Sequence, residues 1–124
     1  MEKNDIVNAF FISSNNYFDA GILIIENIDY ASKPNVIYPA AFLLRHSAEL
    51  LLKSLICDYS SQDMIIMSKS ELIVRVNNIN FNLETHSLLN LYDKLLEVAS
   101  LGLFPLIEKN NKIREKLIKL DKID

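Results

Sequence analysis

The sequence predicts an all-α domain: an antiparallel, up-down bundle of four to five helices, with an irregular crossover or small hairpin at about 60–85. Three observations lead there. Apolar residues recur at 3-4 spacing in several separate segments. One segment, from about Pro39 to Asp58, is apolar on nearly every side, as a helix surrounded by neighbours must be. Pro39 and Pro105 sit where helices open, and Gly102 sits where one closes.

The first helix is expected from Asp5 to about Tyr30, with Val7, Phe10, Phe11, Tyr17, Phe18, Ile24, Ile25 and Ile28 in its seam. Ser14 and Gly21 interrupt that seam with small side chains. They would let a partner helix come close, at some cost in helicity at the glycine. Residues 31–37 break the period before the central helix begins. Residues 60–85 mix Ser and Asn with β-prone runs at Met64–Met67 and Leu72–Val76, and Asn77-Asn78 suggests a turn. Thr85 is expected to cap a third helix from His86 to about Ser100, with Leu88, Leu91, Tyr92, Leu95 and Leu96 on one face. Pro105 opens a fourth, whose apolar stripe is Leu106, Ile113, Leu117 and Leu120.

The 124 residues suit a single domain, and a hydrophobic fraction of 50% is enough for one core. A net charge of −3 excludes a protein that coats nucleic acid with its whole surface, because that needs many clustered cations. A single cysteine, Cys57, permits no internal disulfide and points to a structural thiol in a reduced, cytoplasmic setting. Neither a secretory signal nor a membrane span is expected, since the apolar runs fall short of the roughly 20 residues a bilayer requires. With two glycines in the chain there is no phosphate-binding glycine loop, and no serine nucleophile elbow is present. No cofactor and no metal is implied.

The chemistry concentrates in Arg45-His46-Ser47-Ala48-Glu49-Leu50-Leu51-Leu52-Lys53. At about 100° per residue, Arg45, His46, Glu49 and Lys53 fall within an arc of roughly 100°. Charge on so apolar a helix must meet a cleft, another subunit, solvent or an internal ion-pair network. Glu49 reaches Arg45 and Lys53 one turn away on either side, so a self-satisfied ladder is as natural a reading as a binding surface. His86 is the second candidate, placed in the first turn of the third helix, where the positive end of the helix disfavours imidazolium. It either accepts a proton or donates to a phosphate, or it simply helps the cap. Lys109, Lys112, Arg114, Lys116, Lys119 and Lys122 make the last helix basic, which reads first as a solvated face and second as a phosphate contact.

Phe42 to Ile56, with a small residue, Glu49, three residues and Lys53, is similar to the second helix of the HEPN superfamily. Thr85-His86-Ser87-Leu88 resembles the Thr-His-Asp-Leu start of a later helix in that family, with Ser87 in place of Asp. The resemblance implies a helical bundle, commonly a homodimer, among RNA-cleaving toxins, phage-defence effectors and non-catalytic companions of nucleotidyltransferases. Catalytic members carry an Arg, a short spacer and a His. This chain departs from that pattern, because Arg45 adjoins His46, Arg75 lies too far before His86, and no histidine follows Arg114.

The expected function is a module binding a nucleotide, RNA or a partner protein through Arg45, His46, Glu49, Lys53 and His86, in a toxin-antitoxin or phage-defence setting. The partner would be an antitoxin or a nucleotidyltransferase. Two alternatives stay open. One is a metal-independent ribonuclease with His46 or His86 as base and Arg45 or Lys53 as phosphate partner. The other is a purely structural dimerisation domain.

Overall fold

A computed structural model describes residues 3–27, 37–59, 65–67, 72–76, 79–101 and 111–122. The elements are α1 (Lys3–Glu26), α2 (Ile37–Tyr59), β1 (Ile65–Met67), β2 (Leu72–Val76), β3 (Ile79–Asn82), α3 (Leu88–Leu101) and α4 (Asn111–Asp121). The chain is thus mostly helical, as its periodicity requires. Among the described residues no helix is long and apolar enough to cross a membrane. The expected interruption at 31–37 falls almost wholly outside the described residues, as do the Asn77-Asn78 turn, Gly102, Pro105, Leu106 and Lys109.

α1 and α2 pack as an antiparallel pair through small residues spaced seven apart. The Ser54 hydroxyl donates to the Val7 carbonyl at 3.1 Å. Ser14 and Ser47 then clasp reciprocally, each hydroxyl donating to the other's carbonyl at 2.8 Å. A helical carbonyl has a second lone pair, so these bonds add to the helices without breaking them. Further along, Gly21 lies against Leu44 and the Ala40 carbonyl, and a β-carbon there would stand 2.9 Å from Leu44 Cδ2 and 3.3 Å from that oxygen. The small residues predicted to admit a neighbour do so.

The apolar seam of α1 is narrower than the spacing suggested. Ile6, Val7 and Phe10 reach the core, whereas Phe11, Tyr17 and Phe18 remain largely exposed. The close contact at Ser14 and Gly21 sets which face of α1 meets α2, and it turns those aromatic rings to the flanks. α2 is likewise open on part of its circumference, with Phe42 and Leu51 exposed.

The strand segment forms a three-stranded antiparallel sheet in the order β1-β2-β3. Leu72 to Val76 was foreseen as β-prone; β3 was not. Val74 pairs with Phe81, and Leu83 N–H extends the ladder by donating to the Leu72 carbonyl at 2.8 Å. The period of two places Leu72, Val74, Phe81 and Leu83 on one face. That face closes the core made by Ile6, Ile56, Cys57, Leu91, Leu95 and Val98. Cys57 is fully enclosed, in keeping with a structural thiol. Arg45 bonds the His86 carbonyl just ahead of α3, and Lys53, farther along α2, lies near enough to Lys94 within α3 to feel its charge, so α2 and α3 run in the same sense, the sheet having carried the chain back between them. α3 and α4 are antiparallel, with Asp121 at Leu88 and Arg114 at Asp93.

One boundary differs from expectation. α3 begins at Leu88, not His86, and its cap is Ser87 in place of Thr85, because the Ser87 hydroxyl accepts from Asn90 N–H at 3.1 Å. Thr85 instead stabilises the preceding turn, accepting from Ser87 N–H at 3.2 Å. His86 therefore stands before the cap, outside the first turn. The expected opening of the last helix at Pro105 lies outside the described residues; within α4, Leu117 and Leu120 are half-buried and Ile113 is exposed.

Overpacking the α1/α2 contact tests this arrangement. Gly21→Leu should cost about 1–3 kcal/mol, seen as a lower denaturant midpoint at unchanged slope. An unchanged midpoint would mean that the helices do not approach at Gly21.

Candidate functional site

Glu49 projects from α2 and is almost completely buried, at 2% exposure. A carboxylate so placed needs partners, and four basic side chains surround it. Lys53 Nζ donates to Oε2 at 3.2 Å, one turn along the same helix. His86 Nδ1 lies 3.1 Å from Oε1 and 3.3 Å from Oε2. Arg45 Nη1 stands 3.8 Å from Oε1 and His46 Nδ1 4.0 Å from Oε2, near enough for charge attraction and beyond hydrogen-bond length. All five residues singled out in the sequence thus meet at one carboxylate.

Their situations differ. Lys53 is as enclosed as its partner, at 7% exposure, so the pair is internal. The His86 side chain is 83% exposed. A carboxylate only accepts hydrogen bonds, so His86 Nδ1 is the donor to Glu49 and Nε2 is left outside this contact. That free edge accepts a proton in the neutral imidazole and donates one in the imidazolium. Arg45 is committed elsewhere: its Nε donates to the Leu120 carbonyl at 3.3 Å, and its Nη2 to the His86 carbonyl and to Asp121 Oδ1. The guanidinium ties α2, the turn before α3 and the end of α4 together.

Asp121 is the residue that sequence reasoning missed. Its carboxylate accepts from Leu88 N–H at 2.6 Å, Leu89 N–H at 3.0 Å and the Ser87 hydroxyl at 2.9 Å. The start of α3 has orphan donors by geometry. Asp121 takes the first two, the Ser87 hydroxyl takes Asn90, and Leu91 N–H reaches the Ser87 carbonyl. The helix terminus, an otherwise ready anion site, is already filled by an internal anion. Nothing local could have revealed this, because the cap comes from more than thirty residues away.

Burial pushes the Asp121 carboxyl upward. The Leu89 and Leu88 amides, the Ser87 hydroxyl and the Arg45 charge together outweigh it and hold the group below its ordinary value. Lys94, also unforeseen, donates to the Asn82 carbonyl. Burial, and then the neighbouring Lys53 charge, lower its affinity for a proton.

On the far side of Glu49, His46 is packed between rings. Tyr17 meets it edge to face at 4.5 Å and 88°, and Phe42 lies parallel within 4° at 6.1 Å. On the last helix, Lys112, Lys116, Lys119 and Lys122 lie on exposed positions. Arg114 pairs with Asp93. Among the described residues no group of three His, Cys, Asp or Glu side chains is arranged to hold a metal.

A depressed carboxyl stabilises the fold above its unfolded value, near pH 4, and that contribution is lost as pH falls through the lower folded value. Asp121→Asn should therefore flatten the acid limb of the melting-temperature profile below about pH 4 and cost about 1 kcal/mol at neutral pH. An acid limb identical to that of the unaltered protein would remove Asp121 from this role. In comparisons with known proteins, no family model, no curated protein and no solved structure matches this chain.

Proposed function

We propose that this domain is a HEPN-like helical module that binds the phosphate of an RNA or a nucleotide at His86, in a toxin-antitoxin or phage-defence setting. One observation carries the reading: an exposed imidazole is held at Nδ1 by a buried carboxylate that Lys53 also pairs. The Arg45 and Lys53 charges offset those of Glu49 and Asp121, and Lys94 lies near enough to Lys53 to feel its charge. An anion arriving at the imidazole thus meets carboxylates that are already paired. Arg45 supports the site by fixing the His86 backbone, since its donors are engaged there. The family pattern lacks its Asp at Ser87, and Asp121 brings a carboxylate to the same helix start, which is consistent with that kinship.

The same pair favours ribonuclease chemistry as a second reading. His86 Nε2 would take the proton of a ribose 2′-hydroxyl, whose oxygen attacks the adjacent phosphorus as the bond to the 5′-oxygen breaks; the leaving oxygen takes a proton from water. Lys53 or Arg45, both beside the same carboxylate, would offset the phosphorane charge.

Titration with nucleoside monophosphates and short RNAs should shift the amide resonances around Lys53, His86 and Lys94. His86→Ala should weaken binding by about tenfold, as expected for loss of one charge-assisted hydrogen bond. No shift at millimolar ligand would end the binding proposal. Single-stranded RNA incubated with the protein in EDTA separates the second reading. Cleavage lost in His86→Ala supports it, and intact RNA, or products that persist in His46→Ala/His86→Ala, refutes it.

A further inference from the structure

We propose that the open groove between α1 and α2 is a nucleobase subsite beside the phosphate site at His86; the inference rests on the nucleotide-binding reading above and adds to it where the base lies. The groove encloses about 370 Å³. That falls within the range of small-molecule sites. One stripe of α1, at Ile6, Phe10, Ser13 and Tyr17, forms one wall, and His46 and Leu50, one turn apart on α2, form the other. It exists because Ser14 and Ser47 pull the two helix backbones together, while the larger side chains beside them cannot interdigitate at that separation.

The lining is apolar at the Ile6 and Leu50 end and carries a hydroxyl, a phenol and an imidazole toward the other. Of its rings, Tyr17 stands perpendicular to His46, and Phe42, outside the lining, lies parallel to His46 and steadies it. Flat rings with hydrogen-bonding groups at their rim suit a flat heterocycle whose own edge donates and accepts, which is the chemistry by which proteins stack single bases on Tyr, Phe and His. No carboxylate or ammonium group belongs to the lining, so the occupant is an uncharged ring.

Proximity to His86 points to a ring that is part of a nucleotide. His46 Nδ1 lies 4.0 Å from Glu49 Oε2, and that oxygen lies 3.3 Å from His86 Nδ1. The histidine at the polar end of the groove and the imidazole that would meet phosphate thus border the same buried carboxylate. A base and a phosphate joined through one ribose would occupy both places at once.

Three ligands resolve the two halves on the intact protein: adenosine, ribose 5-phosphate and adenosine 5′-monophosphate. Adenosine should shift the amide resonances of Ser13, Tyr17 and Leu50, ribose 5-phosphate those around His86, and the monophosphate both sets with higher affinity than either. Tyr17 is exposed enough for Tyr17→Leu to fold, and this variant should bind the monophosphate about tenfold more weakly with ribose 5-phosphate binding unchanged. If ribose 5-phosphate acts at His86 while adenosine leaves the groove untouched, and the monophosphate binds no better than the sugar phosphate, the subsite is overturned and the phosphate site stands. If none of the three shifts either set, both are overturned.

Discussion

The buried carboxylate of Glu49 is the constraint on which the rest of this structure depends. It sits on the most apolar helix of a small domain, and leaving it unpaired would cost about 3–5 kcal/mol, a large part of the 5–15 kcal/mol by which such domains are stable. Lys53 answers it within α2, and His86 answers it from the turn ahead of α3. The second partner matters more for function, because it brings an exposed imidazole to a fixed place and fixes which nitrogen faces outward. An interaction that α2 needs for its own burial is also what presents an exposed imidazole.

Arg45 links this carboxylate to the other. It stands beside Glu49 and bonds Asp121, so one guanidinium lies between a charge on α2 and the charge that caps α3. The docking of α4, which has no fully buried residue, thus rests on hydrogen bonds and charge at its end more than on apolar area. It also removes the α3 terminus as an anion site and leaves His86 as the outward-facing donor. Only close packing of the turn before α3 makes this work, since the Arg45 donor must find the His86 carbonyl itself.

Between α1 and α2 the governing constraint is steric. Two serines and a glycine allow a separation that larger side chains would forbid, and reciprocal hydroxyl-carbonyl bonds hold it. Phe10, Tyr17, Phe42 and His46 are then displaced around the seam, and an aromatic-edged groove is the by-product.

The sequence by itself determined the helical class, the central position of α2, the close approach at Ser14 and Gly21, and the sharing of one face by Arg45, His46, Glu49 and Lys53. These follow from periodicities of 3.6 and 7 and from residue size, which are local properties of a chain. It also marked His86, through a threonine that announces a helix start, although only the hydrogen bonds assigned the cap to Ser87. Tertiary structure alone decided that His86 meets Glu49, that Arg45 is committed to the α3 turn, that Asp121 caps a helix it does not belong to, and that the aromatic rings of α1 flank the seam instead of filling it. The reason is the same in each case: these are contacts between residues more than thirty positions apart, whose partners are selected by how whole helices pack, and no spacing within one segment encodes them.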